Sequence, residues 1–355
     1  MNIPGFMAVV EAMVRKNVDL ARAGRPVRDY LVPMAWGDPG LGKTDVVEAV
    51  AEGLGDLGRD VLDDADEAGG WGVIHADLHT RDPADLGGMP WVKDGRSVRC
   101  RPDWLPTGGR GILFLDELPQ AGVANMNTAA TLVREHRVGE HRLPRGWMIV
   151  CAGNHLHNRA GSTALPSQLR NRLVHLRIDA DANAWAAWAV GRGVHPMLIA
   201  YNRYRAADYH HRVSATDNAY PTPRAWAMSD AVLALDLPPG LRRECHAGTV
   251  GDAAAADFEG FREVYLTLPD VDAILRDPDT GPIPAHAMTL HALMGALAHR
   301  ATPRNFGAVI RYLGRLPERD FAVACVVDAT ARDKALASTP AYQAWAVAHG
   351  DLLTG

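Results

Sequence analysis

A chain of 355 residues, 47% apolar and 22% charged, has an ordinary globular composition but is long for a single compact core, which excludes general disorder and predicts two domains. Its formal charge of −5 gives no overall attraction for nucleic acid, although a local basic groove stays open. Cys100, Cys151, Cys245 and Cys325 lack the paired spacing of a zinc or redox site and read as buried small hydrophobes in a reducing compartment.

From the start of the chain, Phe6, Val9, Val10, Met13, Val14, Val18 and Leu20 recur at helical spacing and predict a helix over residues 5–23, ended by Gly24 and Pro26. Glu11, Arg15, Lys16 and Asp19 interrupt its apolar positions, so it lacks the core of a signal peptide, and no run of about 18 apolar residues follows anywhere. The expectation is a soluble, cytoplasmic protein with no membrane partner. "DYLVPMAW" (29–36) reads as a buried strand entering "GDPGLGKT" (37–44), and "TDVVEAVAEGLGDLG" (44–58) as a helix leaving it. Short apolar strands are predicted at 71–78, 111–118, 147–154 and 173–178, separated by loops or by helices such as "MNTAATLVREH" (126–136). Strands of this kind alternating with helices predict a parallel sheet covered on both faces. Beyond residue 180 the strand pattern stops, and 181–193, 222–236, 253–268, 287–300, 305–316 and 319–333 are helical in pattern, with the Pro- and Asp-rich 268–286 as a linker.

Four stretches carry chemistry. In Gly37, Asp38, Pro39, Gly40, Leu41, Gly42, Lys43 and Thr44 the glycines let successive N–H groups turn toward a triphosphate at a helix N-terminus. Lys43 supplies a point charge to the β- and γ-phosphates, and the Thr44 hydroxyl is a ligand for Mg²⁺. "ILFLDEL" ends an apolar strand on Asp116, placed to hold Mg²⁺ through water, and on Glu117, placed to polarise a water for attack on the γ-phosphate. An Asp-Glu pair is often only a solvated strand end; at the end of so apolar a strand, after such a loop, it favours hydrolysis over the phosphoryl transfer of a small-molecule kinase. "MIVCAGN" ends on Asn154, whose neutral amide can orient the same water, although asparagine also ends strands merely to make turns. Arg170 and Arg172 precede the last strand, where an arginine reaches a neighbouring subunit's nucleotide more easily than its own, as a finger in trans; a surface ion pair is the alternative for each.

Together these stretches resemble the AAA+ ATPase core, and the details are similar to its MoxR branch. "ADLHTRDPADLGGMPWV" (76–92) resembles the branch's Asp-Leu-x-Gly turn and second-helix insert. "LDELPQAGVANMNTAATLVREHRVGEHRLPRGWMIVCAGN" (115–154) resembles its run of helix, hairpin and Asn-ended strand, and "YPTPRAWAMSD" (220–230) its lid helix. The likeness covers about residues 25–265. It implies an α/β P-loop AAA+ parallel-sheet nucleotide domain with an α-helical lid and a helical C-terminal extension. The boundaries expected are an N-terminal helix over 1–24, the nucleotide domain over 25–179, the lid over 180–265 and the extension over 266–355. The resemblance also implies ATP and Mg²⁺ as cofactors, a homo-oligomeric ring, usually a hexamer, with ATP between subunits, and chaperone-like remodelling of a protein client alongside a von Willebrand factor A domain protein. In it Arg172 aligns with the finger in trans, Arg170 is an extra basic residue, and Arg224 maps to the lid arginine that senses the γ-phosphate in cis.

The fifteen histidines invite a metal reading at 135–141, 155–157 and 209–211, which is disfavoured for each: the first suits an exposed hairpin, and His155 and His157 follow the Asn154 strand as a loop, with a contact to the nucleotide site or the subunit boundary as the alternative. Met89 and Trp91, on a glycine-flanked turn, are a candidate substrate contact, with a packed surface Trp as the alternative. Trp185 and Trp188 are expected in the core. The leading function is an ATP-hydrolysing ring motor acting on a protein. A nucleic-acid translocase or helicase loader is the alternative, disfavoured by the acidic charge and by the absence of an aromatic-plus-basic strand-binding motif. A nucleotide-binding scaffold is disfavoured by the intact Glu117.

Overall fold

The computed structural model describes residues 1–62, 70–154 and 164–349, which form two compact units, 1–179 and 180–355. In the first, α1 (Ile3–Arg22) buries Phe6, Val10, Val14 and Val18 and is capped by the Asn2 side chain on the Gly5 N–H. The strand expected over 29–36 is shorter. Val27–Asp29 make a 3₁₀ turn, and Asn17 of α1 exchanges two hydrogen bonds with the Leu31 backbone, 2.9 and 2.7 Å. Strand β1 therefore runs only over Pro33–Trp36, with the proline at its first residue, where the lost N–H is tolerated.

Next come α2 (Lys43–Gly53), α3 (Arg59–Leu62), β2 (Gly72–Asp77), α4 (Pro83–Gly87), the hairpin β3 (Pro90–Lys93) and β4 (Arg96–Arg99), and β5 (Gly111–Asp116). They are followed by α5 (Val123–Glu135), the short hairpin β6 (Arg137–Val138) and β7 (His141–Arg142), β8 (Trp147–Gly153), α6 (Ser167–Arg170) and β9 (Val174–Arg177). Five of these strands form one parallel sheet in the order β2-β5-β8-β1-β9. Leu113 and Leu115 of β5 join the buried cluster that includes Met126, Leu132 and Val133 of α5. Ile112 and Phe114, equally buried, point to the other face, as strand alternation requires. Continuous apolar burial along β5 and β8 is what a parallel sheet covered on both sides demands.

The second unit has no strand among its described residues. Its helices are α7 (Ala182–Gly191), α8 (Pro196–Tyr204), α9 (Pro223–Leu233), α10 (Pro239–Val250), α11 (Asp252–Leu266), α12 (Val271–Arg276), α13 (Ala287–Arg300), α14 (Phe306–Leu313), α15 (Arg319–Arg332) and α16 (Pro340–Ala348). One core cluster gathers around Tyr201, Trp226, Phe258 and Phe261, and another around Leu293, Phe306, Tyr312 and Val326. The expected linker contains α12, whose Ile274 belongs to the second cluster. Trp188 corrects the sequence expectation: Trp185 is buried, but Trp188, about 60° round the same helix, is 41% exposed at the edge of the buried face with Arg192 over its ring. Cys151 and Cys325 are buried as expected, whereas Cys100 and Cys245 are exposed.

Candidate functional site

The sheet order places β8 between β1 and β5, so the chain ends that follow these three strands emerge side by side. At the end of β1 the Gly37 N–H donates to Gly153 O at 3.2 Å, and the chain turns into its glycine loop. Gly40 (φ 79°) and Gly42 (φ 92°) take the left-handed conformations that side chains resist, and α2 starts at Lys43 directly after the second. The Lys43 ammonium is buried and donates to Gly37 O (2.7 Å), Asp38 O (3.0 Å) and Asn154 Oδ1 (3.3 Å). Loop and strand end are thus joined through one side chain. Thr44 lies in the first turn of α2, half-buried.

Asp116 closes β5, and its Oδ1 accepts the Glu117 N–H at 2.8 Å. Glu117 has φ 51°, ψ 32°, uncommon for a side chain this long, and opens the 3₁₀ turn Leu118–Gln120. That turn is pressed against the end of β8. A Cβ on Gly153 would stand 2.3 Å from Pro119 Cδ, so only glycine lets the Asp-Glu turn and the Asn154 strand approach this closely.

One neighbour of Glu117 escaped the sequence reading. β2 pairs with β5 through Asp77↔Asp116, which brings the segment after β2 beside Glu117. His79 Nδ1 lies 3.4 Å from Glu117 Oε2 and 3.6 Å from Asp77 Oδ1. The loop carrying it is held by buried Asn125 of α5, which donates to Leu78 O (2.9 Å) and Arg81 O (2.7 Å). Among the described residues, Asp77, His79 and Glu117 are the one grouping of three side chains whose ligand atoms lie within 4.8 Å of one another. The signal available in sequence was only a His two residues beyond a strand-ending Asp; the strand pairing that gives it meaning is not local.

Arg170 ends α6 and Arg172 follows in the turn before β9, the sheet's edge strand beside β1. Both are exposed. Their segment is tied to the loop strand through His175, which meets Arg170 O at 3.0 Å and accepts from Trp36 Nε1 at 2.8 Å. Arg224 belongs to the second unit, exposed in the first turn of α9, whose N-cap Thr222 accepts the Ala225 N–H at 3.1 Å. The first unit therefore brings Lys43, Asn154, Asp116 and Glu117 to one end of the sheet, and Arg170 and Arg172 to its β9 edge.

The remaining expectations divide. The 137–142 hairpin is present, but His136 is not exposed with it. It caps α5 in the left-handed conformation (φ 48°), lies edge-on to Tyr30 at 5.6 Å, and burial holds its pKa down at about 4. His210 is likewise buried against Trp185, with its pKa pushed down to about 4. His155 and His157 lie outside the described residues. Met89 and Trp91 are 65% and 61% exposed, so Trp91 is not a packed surface residue. No described helix is long and apolar enough to cross a membrane.

No protein-family model and no curated protein matches the chain. Among solved structures it is similar to a point mutant of RuvB from Thermotoga maritima, with 14% identity, a TM-score of 0.38, and 81% of this chain and 82% of that one covered. It is also similar to NtrX from Brucella abortus (14%, TM-score 0.33, 92% and 67% covered) and to PCH-2 from C. elegans (11%, TM-score 0.33, 95% and 70% covered). At such scores the functional reading rests on the residues themselves.

Proposed function

We propose that the chain is an ATP-hydrolysing AAA+ protein, similar to the MoxR branch, that works as a ring with ATP at the boundary between copies and remodels a protein partner. The observation that carries this reading is the meeting of Lys43 with Asn154 beside the strand that ends in Asp116 and Glu117. A buried ammonium surrounded by oxygen acceptors, at a glycine-turned helix start, fits a polyphosphate. Thr44 and Asp116 would be the residues that hold Mg²⁺, which would supply charge neutralisation at the phosphate oxygens.

The chain's own residues then divide the work. The loop N–H groups and Lys43 bind and orient the phosphates. Glu117 takes a proton from the attacking water, and Asn154 orients that water without adding charge. His79 sits where it can hold the Glu117 carboxylate in place. Arg172, exposed at the sheet edge, extends to the nucleotide of the next copy, with Arg170 as a second cation beside it. Arg224 acts from the helical unit, read as a lid over 180–265 followed by an extension over 266–355. The ring, the protein client and a von Willebrand factor A partner rest on the sequence resemblance.

The test is steady-state ATP turnover with nucleotide binding measured in parallel. Glu117→Gln should abolish turnover and keep ATP binding, whereas Lys43→Ala should lose both. Wild-type turnover that Glu117→Gln leaves intact would sink the reading. A nucleic-acid motor has one observation in its favour, the basic residues of the β3–β4 hairpin.

A further inference from the structure

The β3–β4 hairpin displays a face that its sequence hides. Its register pairs Trp91 with Val98 and Lys93 with Arg96. Opposed residues share a face and alternate pairs return to it, so these four side chains form one strip, aromatic and apolar at one end and doubly cationic at the other. Like charges placed directly opposite each other destabilise a hairpin. Within the described residues neither Lys93 nor Arg96 has a hydrogen-bond or ion-pair partner to relieve this. The exposed apolar surface extends further along the same side through Met89 (65%), two residues before Trp91.

The base of the hairpin is firmly set while its tip is free. The Arg99 N–H donates to Glu140 Oε1 at 2.6 Å, His141 Nε2 meets Arg99 O at 2.7 Å, and Arg101 donates to Arg142 O at 3.3 Å, so the hairpin base is fastened to β6–β7. Arg99 and Arg101 also donate to the Gly88 and Leu105 carbonyls, and Glu140 is the carboxylate brought up against Arg99. From residue 89 to 101 four cations stand against Asp94 alone, in a chain of net charge −5. The local field is opposite in sign to that of the whole molecule.

We infer that this strip is where the chain takes hold of its client, and that the client segment is an extended acidic polypeptide bearing apolar side chains. An anionic partner removes the Lys93–Arg96 repulsion, and its apolar side chains cover Trp91 and Met89, which stands two residues before it. A nucleic-acid strand would use Trp91 for stacking and the cations for phosphates, but would leave Met89 in water. The inference rests on the proposed protein-remodelling activity and adds to it the chemistry of what is gripped.

The experiment is fluorescence anisotropy on the full chain with three labelled probes: a peptide alternating acidic and apolar residues, the same peptide with lysine for each acid, and an oligothymidylate. The wild type should bind the acidic peptide at least about tenfold more tightly than the basic one, and lose affinity as salt rises from about 50 to about 300 mM. Lys93→Glu/Arg96→Glu should reverse the peptide preference, Lys93→Gln/Arg96→Gln should fall between, and Trp91→Ala should weaken both peptides. Equal affinity for the two peptides, or an acidic-peptide affinity unmoved by the charge reversal, would overturn the proposal. So would an oligothymidylate that binds and loses its hold in the charge-reversed variant while the acidic peptide does not bind. Wild-type ATP turnover in the same preparation separates the two claims. Turnover without peptide preference leaves the ATPase standing and the hairpin assignment lost; preference without turnover does the reverse.

Discussion

The Lys43 Nζ and the Asn154 Oδ1 meet at 3.3 Å across 111 residues of chain. The contact exists because β8 lies between β1 and β5, which brings the end of the Asn154 strand beside the glycine loop. Asn154→Ala removes an acceptor from a buried ammonium and, in the proposed mechanism, the amide that positions the water. Turnover should fall by about 10²-fold, with nucleotide affinity changed much less, because the amide acts mainly in the transition state. Equal losses in affinity and turnover would make Asn154 a binding residue only, and paired kinetic and binding titrations measure the split.

Gly153→Ala tests the packing that brings the two halves of the site together. The added Cβ meets Pro119, so either the Asp-Glu turn or the end of β8 must shift. The expected loss of stability is about 1–3 kcal/mol, read by denaturant unfolding, together with reduced turnover. A variant as stable and as active as the wild type would show that the turn and the strand are not coupled.

Acid should weaken both units. The buried imidazoles of His136 and His210 are held down at about 4 by desolvation, as is that of His291. In the unfolded chain a histidine titrates near 6.5, so the unfolded state binds protons first as pH falls. Stability is full above about pH 6.5 and is lost progressively toward pH 4, by roughly 3 kcal/mol for each of the two most buried rings. Melting temperatures from pH 7 to 4.5 should fall steadily. His136→Asn, which tolerates the same left-handed backbone, should flatten the decline of the first unit. A melting temperature constant over this range would refute the assignment.

How far the sequence spoke depends on how local each feature is. The glycine loop was legible because positive φ, a lysine and a helix start are all encoded within eight residues, and the apolar strands because a sheet buried on both faces needs unbroken apolar runs. The length of β1 was overread, since the Asn17–Leu31 bonds that replace strand pairing come from a helix fourteen residues away. The His79–Glu117 contact and the Trp91–Lys93–Arg96–Val98 strip depend on strand pairing and register, which composition does not report. Trp188 was misassigned because α7 is apolar nearly all round, so periodicity could not say which face turns outward. His136 was misplaced because a helix cap folded it under the hairpin.

The central claim is that each ATP site is completed by Arg172 of the next copy, and mixing two inactive variants tests it most directly. Lys43→Ala removes the phosphate grip and Arg172→Ala the finger, so each protein alone should turn over almost no ATP. In rings assembled from equal amounts of both, every boundary joining an intact Lys43 to a neighbour's intact Arg172 regains a whole site. Turnover should recover to about a quarter of the wild-type rate, the fraction of such boundaries in a randomly mixed head-to-tail ring. No recovery in rings verified to be mixed, or an Arg172→Ala protein as active alone as the wild type, would contradict the shared site.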